Sequence, residues 1–159
     1  MTQPVTPRMA ELAAQEAGLV LEAFDHDSAW RLGTLMVQRG LHDKVPIIID
    51  IRRPGVILFR SAVAGATAEN QAWLERKAET VFRFETSTAL LEARFAAQGI
   101  DQWEAGWFDT TQFAAAGGSV PVRVHGVGAV AAVTVSGLLS DDDHDFVVDA
   151  LDAYVQEQA

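Results

Sequence analysis

Two strand-forming runs separated by a two-residue break constrain this chain more than anything else in it. Val45 to Arg52 places Ile47, Ile49 and Ile51 on one face and Ile48 and Asp50 on the other, the period of two that a pleated strand requires. Pro54-Gly55 follows, and then Val56 to Ala62, again β-branched and aromatic. Proline and glycine between two such runs mark a hairpin, so the two strands are expected to pair antiparallel.

The rest of the chain supplies what would cover that hairpin. Met9 to Ala17 is rich in helix formers and stops at Gly18, while Leu19 to Phe24 alternates and reads as a strand. Asp25 offers an N-cap oxygen to a helix from about His26 to Gly40, with Trp30, Leu32, Leu35 and Met36 near helical spacing and Gly33 as an interruption. Ala68 to Arg83 reads as helix, extending toward Glu85. Thr86 and Ser87 then precede a second helix, Thr88 to Gln98, which Gly99 ends. Val120 to His125 and Val127 to Leu138 form two more strands, joined through Gly126 or Gly128. Ser140 is expected to cap a last helix, Asp141 to about Gln156, with a one-sided stripe of Phe146, Val147, Leu151 and Tyr154. The order α-β-α-β-β-α-α-β-β-α, with two hairpins among five strands, predicts an α+β fold with an antiparallel-rich sheet rather than a doubly wound parallel one. A length of 159 residues suits one domain, 1–159, with residues 1–7 as a flexible N-terminal arm.

Composition removes several classes of function. The net charge is −10 and the 12 Lys and Arg form no basic stripe, which argues against nucleic acid and against anionic membrane surfaces as partners. With no cysteine there is no disulfide, no thiolate catalysis and no Cys-ligated zinc or iron–sulfur cluster. The first residues carry Pro4 and Pro7 and no apolar core of a signal peptide, and no stretch reaches the ~18 apolar residues of a membrane span. A cytoplasmic location is the expectation.

Few residues invite a chemical reading. His26 lies in Asp25-His26-Asp27 at a helix start, and His42 in a polar loop, where solvated turns account for both. Asp141 to Asp145, with His144 among them, suggests a divalent metal. Yet four carboxylates in the first turn of a helix also offset its dipole, and Ser140 with Asp143 resembles a capping box; no metal site is expected. His125, at a strand end beside a glycine turn, is either an axial haem ligand, a general base or a hydrogen-bonded structural residue. Ser136 lacks the nucleophile-elbow pattern, and Gly117-Gly118 precedes a strand rather than a helix, so it is no dinucleotide fingerprint. Nothing in the chain specifies an enzyme.

The helix from Ala68 is unusually apolar around its circumference. Leu74, Ala78, Val81 and Phe82 make one face, Trp73, Thr80 and Phe84 a second, and Lys77 sits between them. That arc exceeds the ~100° stripe of a helix packed on one side. Either the helix is buried within the subunit or its second face meets another copy, with Trp73 and Arg76 as anchors of the kind interfaces use.

Several segments in order resemble a known family. They are Ile49-Asp50-Ile51-Arg52 with Leu58-Phe59, Glu69 through Lys77, Gly117-Gly118-Ser119-Val120-Pro121-Val122, Val127-Gly128-Ala129, Val135-Ser136-Gly137-Leu138 and Asp143-His144. Together they span about residues 12–155 and resemble the haem-degrading-domain family, in its HbpS-like and GlcG-like branch. The resemblance implies a profilin-like fold, with a five-stranded antiparallel sheet and helices on both faces. It also implies a homo-oligomer and a small-molecule ligand, with haem as the named candidate cofactor. Matching positions are Asn70, Trp73, Arg76, Lys77, Gly118, Pro121, Gly137 and His144.

Two functions are thus expected to compete. One is a small-ligand-binding protein with Arg76, Lys77, Gly118, His125 and His144 as ligand-binding candidates. The other is a non-catalytic homo-oligomeric interaction or scaffold protein, with Asn70, Trp73 and Phe84 at the interface.

Overall fold

Side-chain oxygens start the helices where the sequence places them. Thr6, Asp25, Thr67 and Ser87 each accept a hydrogen bond from the backbone N–H three residues on, satisfying a donor that the first turn leaves unpaired. In the computed structural model, which describes residues 4–158, the helices are α1 (Pro7–Ala17), α2 (His26–Asp43), α3 (Ala68–Phe84), α4 (Thr88–Gln98) and α5 (Ser140–Gln158). The strands are β1 (Val20–Leu21), β2 (Ile48–Arg53), β3 (Val56–Ala62), β4 (Ser119–Val124) and β5 (Gly128–Ser136). The predicted order of elements is the observed one. Of the arm expected over residues 1–7, the first three lie outside the described residues, and Pro7 already belongs to α1.

The five strands form one sheet in the order β1-β4-β5-β2-β3. Both hairpins pair as expected, Ile49 opposite Ser61 and Val120 opposite Val133, and β2 pairs antiparallel with β5, Ile49 opposite Val135. The sheet is mixed rather than wholly antiparallel, because β1 runs parallel to β4. A tight turn fixes the direction of each hairpin partner. No tight turn links β1 to β4, so no hairpin sets the direction of that short strand, which also packs against α5.

The two sheet faces differ in chemistry. Ile47, Ile49, Ile51, Val120, Val122, Val133 and Val135 point into the main core, against Ala29, Leu32 and Met36 of α2 and Val147, Leu151 and Tyr154 of α5. Gly33 belongs in α2 because Phe59 lies flat on it: a Cβ there would come within 2.4 Å of the Phe59 ring. The opposite face carries Asp50, Arg52, Thr134 and Ser136 and is covered by α3. There Asp50, fully buried, accepts from Arg52 (2.6 and 3.0 Å) and Arg60 (2.9 Å), and Glu75 of α3 accepts from the same two guanidiniums. The ring of two anions and two cations ties the helix to the sheet.

The second apolar face of α3 is covered by the chain itself. Residues 101–115 fold over it and over α4. Phe108 and Phe113 pack on Phe84 at 6.1 and 6.5 Å between ring centroids, and Trp103 meets Trp73 edge-on at 6.2 Å. Phe95 of α4 completes the cluster at 5.2 Å from Phe108. The wide apolar arc is therefore explained within one subunit.

Candidate functional site

Where α3, the end of β5 and the start of α5 converge, they leave a cavity of about 260 Å³. It is lined by Glu69, Asn70, Trp73 and Lys77 from α3, by Ser136 at the end of β5 with Gly137 and Leu138 beyond it, and by Ser140 and Asp143 from α5. Trp73 forms a flat, half-buried wall. Its indole N–H donates to Glu69 (3.1 Å), and the Arg76 guanidinium lies 4.2 Å from its ring centroid, which holds the ring in one orientation.

The floor is an ion pair. Lys77, only 3% exposed, donates to Asp143 (3.0 Å) and to the Val135 carbonyl (3.3 Å). Asp143, 1% exposed, also accepts from the Leu138 backbone N–H at 3.0 Å. Burial pushes the Lys77 ammonium below its ordinary pKa, against the attraction of Asp143. Burial likewise raises the Asp143 carboxyl, against the attraction of Lys77. Both trends favour moving the shared proton from nitrogen to oxygen. The pair fits only because position 118 is glycine. Gly118 has φ +134, and a Cβ there would sit 2.5 Å from the Val135 carbonyl oxygen and 2.8 Å from the Lys77 nitrogen.

A second polar cluster braces the rim. Ser140 donates to Glu92 of α4 (2.7 Å), and the Gly117 N–H is shared between Ser140 and Glu92. The expected Ser140–Asp143 capping box is thus not formed. Ser140 is already the first helical residue, and both side chains are engaged elsewhere.

The sequence-predicted residues are partly brought together. Lys77 and Gly118 meet at the floor; Asn70 lines the cavity while its side-chain oxygen accepts from Thr67 N–H (2.8 Å) in a capping box. Arg76 stands behind Trp73, donating to the Thr110 carbonyl at 3.2 Å rather than into the cavity. Phe84 is spent on the aromatic cluster. His125 is exposed at the β4–β5 turn, remote from the cavity lining. His144 is fully buried and faces α1: its Nε2 bonds the Gln15 side-chain oxygen at 2.9 Å, so Nε2 carries the hydrogen, and Nδ1 has no hydrogen-bond partner among the described residues. Burial lowers its pKa. The acidic run splits in the same way, Asp143 inward to Lys77 and Asp141 outward to Arg8 (3.3 Å). Asp143 is the site residue that sequence reasoning assigned to capping. A signal pointing to its partner was present: of 12 basic residues only Lys44 and Lys77 are lysines.

Comparison with known proteins gives the same neighbourhood by each route. A family model described as haem degrading protein, HbpS-like, matches residues 24–152. A UPF0303 protein of Streptomyces coelicolor is 44% identical over 156 residues, covering 98% of this chain and 99% of that protein. Another from Sinorhizobium medicae is 42% identical, covering 90% and 87%. Among solved structures, the Ybr137w protein superposes with TM-score 0.86 at 29% identity over 96% of this chain and 90% of its own. A PduOC:heme complex superposes with TM-score 0.69 at 17% identity over 84% and 95%, a likeness of fold.

Proposed function

This chain belongs to the HbpS-like haem-degrading family, and from that premise we propose that it binds a small polar molecule in the Trp73–Lys77–Asp143 cavity. The observation that carries the reading is the buried Lys77–Asp143 pair flooring a cavity with an aromatic wall. A few convergent polar groups beside a flat apolar surface are the usual make-up of a small-ligand site. The cavity offers the Lys77 N–H as donor, the Asp143 carboxylate as acceptor, and Ser136 and Asn70 at its sides. A ligand with a carboxyl, carbonyl or hydroxyl group answers both signs. The test is titration with acetate, lactate and pyruvate, following tryptophan fluorescence and calorimetric heat. Saturable binding that disappears in Trp73→Ala and in Lys77→Met supports the reading; no heat and no quenching from any of the three removes it.

Haem is the cofactor the family description implies, and the cavity does not fit it. At about 260 Å³ it falls below the range of sites for drug-sized ligands, and its lining holds no histidine, methionine or tyrosine to ligate iron. What favours haem at a different place is the PduOC:heme complex with the same fold, together with an exposed imidazole at His125. Haem held by this chain would sit against the β4–β5 turn. A haemin titration with a saturable Soret shift, lost in His125→Ala and retained in Trp73→Ala, supports that second site. The same shift in both variants overturns it. Assembly into a homo-oligomer is proposed through exposed Trp103 and Trp107 rather than through α3. Light scattering of the chain and of Trp107→Asp checks it, and a monomer at micromolar concentration would end it.

A further inference from the structure

The cation chosen for the cavity floor is unusual for this chain. Ten of its 12 basic residues are arginines, including those of the ring around Asp50; only Lys44 and Lys77 are lysines. A guanidinium stays protonated in any protein environment and makes the better buried ion pair, whereas an amine can lose its proton and become a nucleophile. Lys44 is exposed at the C-cap of α2, in the left-handed conformation. Lys77 is buried at the cavity floor with a carboxylate at 3.0 Å. Of the three hydrogens on its ammonium, two have acceptors, Asp143 and the Val135 carbonyl. The glycine at 118 keeps a methyl group away from this nitrogen.

We propose that Lys77 forms an imine with a small aldehyde or ketone held in the cavity, and that Asp143 moves the protons. The proposal rests on the cavity being a ligand site and adds the chemistry done there. Asp143 first takes a proton from the Lys77 ammonium, leaving a neutral amine and a neutral carboxyl. The nitrogen lone pair attacks the carbonyl carbon and a C–N bond forms. The carbonyl π pair moves to oxygen, which takes the proton from Asp143. Asp143 then removes a proton from nitrogen and returns it to the hydroxyl, which leaves as water as the C=N bond closes. The sum is ammonium plus carbonyl giving the protonated imine plus water, with Asp143 ending as the carboxylate it began as and no oxidant or reductant required. The opposed pKa displacements of the pair support the first transfer. Trp73 forms one wall of the cavity, a flat surface against which a small carbonyl compound can lie.

Having only two lysines makes the test clean. The intact chain is incubated at neutral pH with sodium cyanoborohydride and either acetaldehyde or pyruvate, then digested and analysed by mass spectrometry. The expected result is a reduced secondary-amine adduct on Lys77 exceeding that on exposed Lys44 by at least about tenfold, because only Lys77 has a carboxylate placed to act as general acid and base. Asp143→Asn is expected to reduce the Lys77 adduct by about the same factor while Lys44 is unchanged. Lys77 modified no faster than Lys44 with both carbonyls overturns the proposal. If pyruvate still quenches Trp73 in that experiment, the cavity remains a ligand site and only the imine chemistry fails; if quenching is also absent, both readings fall. Because the wild-type chain carries the comparison, the result does not depend on any variant folding.

Discussion

Helix α3 lies on two buried clusters of opposite charge, and they differ in how completely they are closed. Under its middle, Asp50, Arg52, Arg60 and Glu75 form a ring in which each carboxylate accepts from both guanidiniums. Two residues further along the helix, Lys77 forms a single pair with Asp143 beside a cavity. In the ring every charge has two partners of opposite sign, and its cations are guanidiniums that stay protonated. The pair holds groups that burial drives toward neutrality, and a ligand can reach its surroundings. Burial of charge ties helix to sheet in the first case, and in the second it floors the cavity proposed as a ligand site. What separates them is the choice of arginine or lysine and the presence of a void.

Breaking the ring gives the largest expected effect. Asp50→Ala leaves Arg52 buried without its main partner and is expected to cost about 3–5 kcal/mol in urea unfolding. A loss under 1 kcal/mol would mean that the ring is not a lock. Gly118→Ala comes next, at on the order of 2–4 kcal/mol, since it adds left-handed strain to a collision with the Val135 carbonyl. Lys77→Met/Asp143→Leu removes both charges of the cavity pair at once. Because replacing a buried ion pair by apolar groups is often neutral or better, unfolding free energy is expected within about 1 kcal/mol of wild type while ligand titrations go flat. Retained binding in that double variant would erase the distinction drawn between the clusters.

Acid sharpens the same contrast at smaller amplitude. The hydrogen bond from Arg52, with help from Arg60 and against partial burial, holds the Glu75 carboxyl down at about 2 from 4.5. A folded-state pKa below the unfolded one gives stability that is complete above pH 4.5 and is lost as pH falls toward 2. Glu75→Gln should flatten that acid limb. His144 contributes the smallest step. Its pKa is lowered from 6.5 by burial, so the unfolded chain binds the proton more readily, and stability falls as pH drops below about that value. Replacing it with Gln should remove this segment of the profile; an unchanged slope between pH 7 and 5 would show that the imidazole is not the source.

Much of the fold was legible in the residues. The Ile47-Ile49-Ile51 alternation, the Pro54-Gly55 break and the cap residues Asp25, Thr67 and Ser87 are local signals, and each element stands within a few residues of where they put it. Gly33, which weakened the second helix as a sequence, is explained by Phe59 arriving from a strand 26 positions later. The site was only half legible. Lys77 and Gly118 could be marked by motif, but Asp143 looked like one more acid in a helix start. His125 and His144 attracted notice as histidines and lie elsewhere, one on an exposed turn and one against Gln15.

Taken by itself, the sequence determined the elements, their order and the exclusions that follow from having no cysteine and an excess of acid, because capping, periodicity and composition act over a few residues. The tertiary structure decided that β1 runs parallel, that loop 101–115 covers α3, and that Lys77 meets Asp143 across 66 positions of chain. Those outcomes depend on which faces pack together, and a pairing at that distance leaves no local pattern to read.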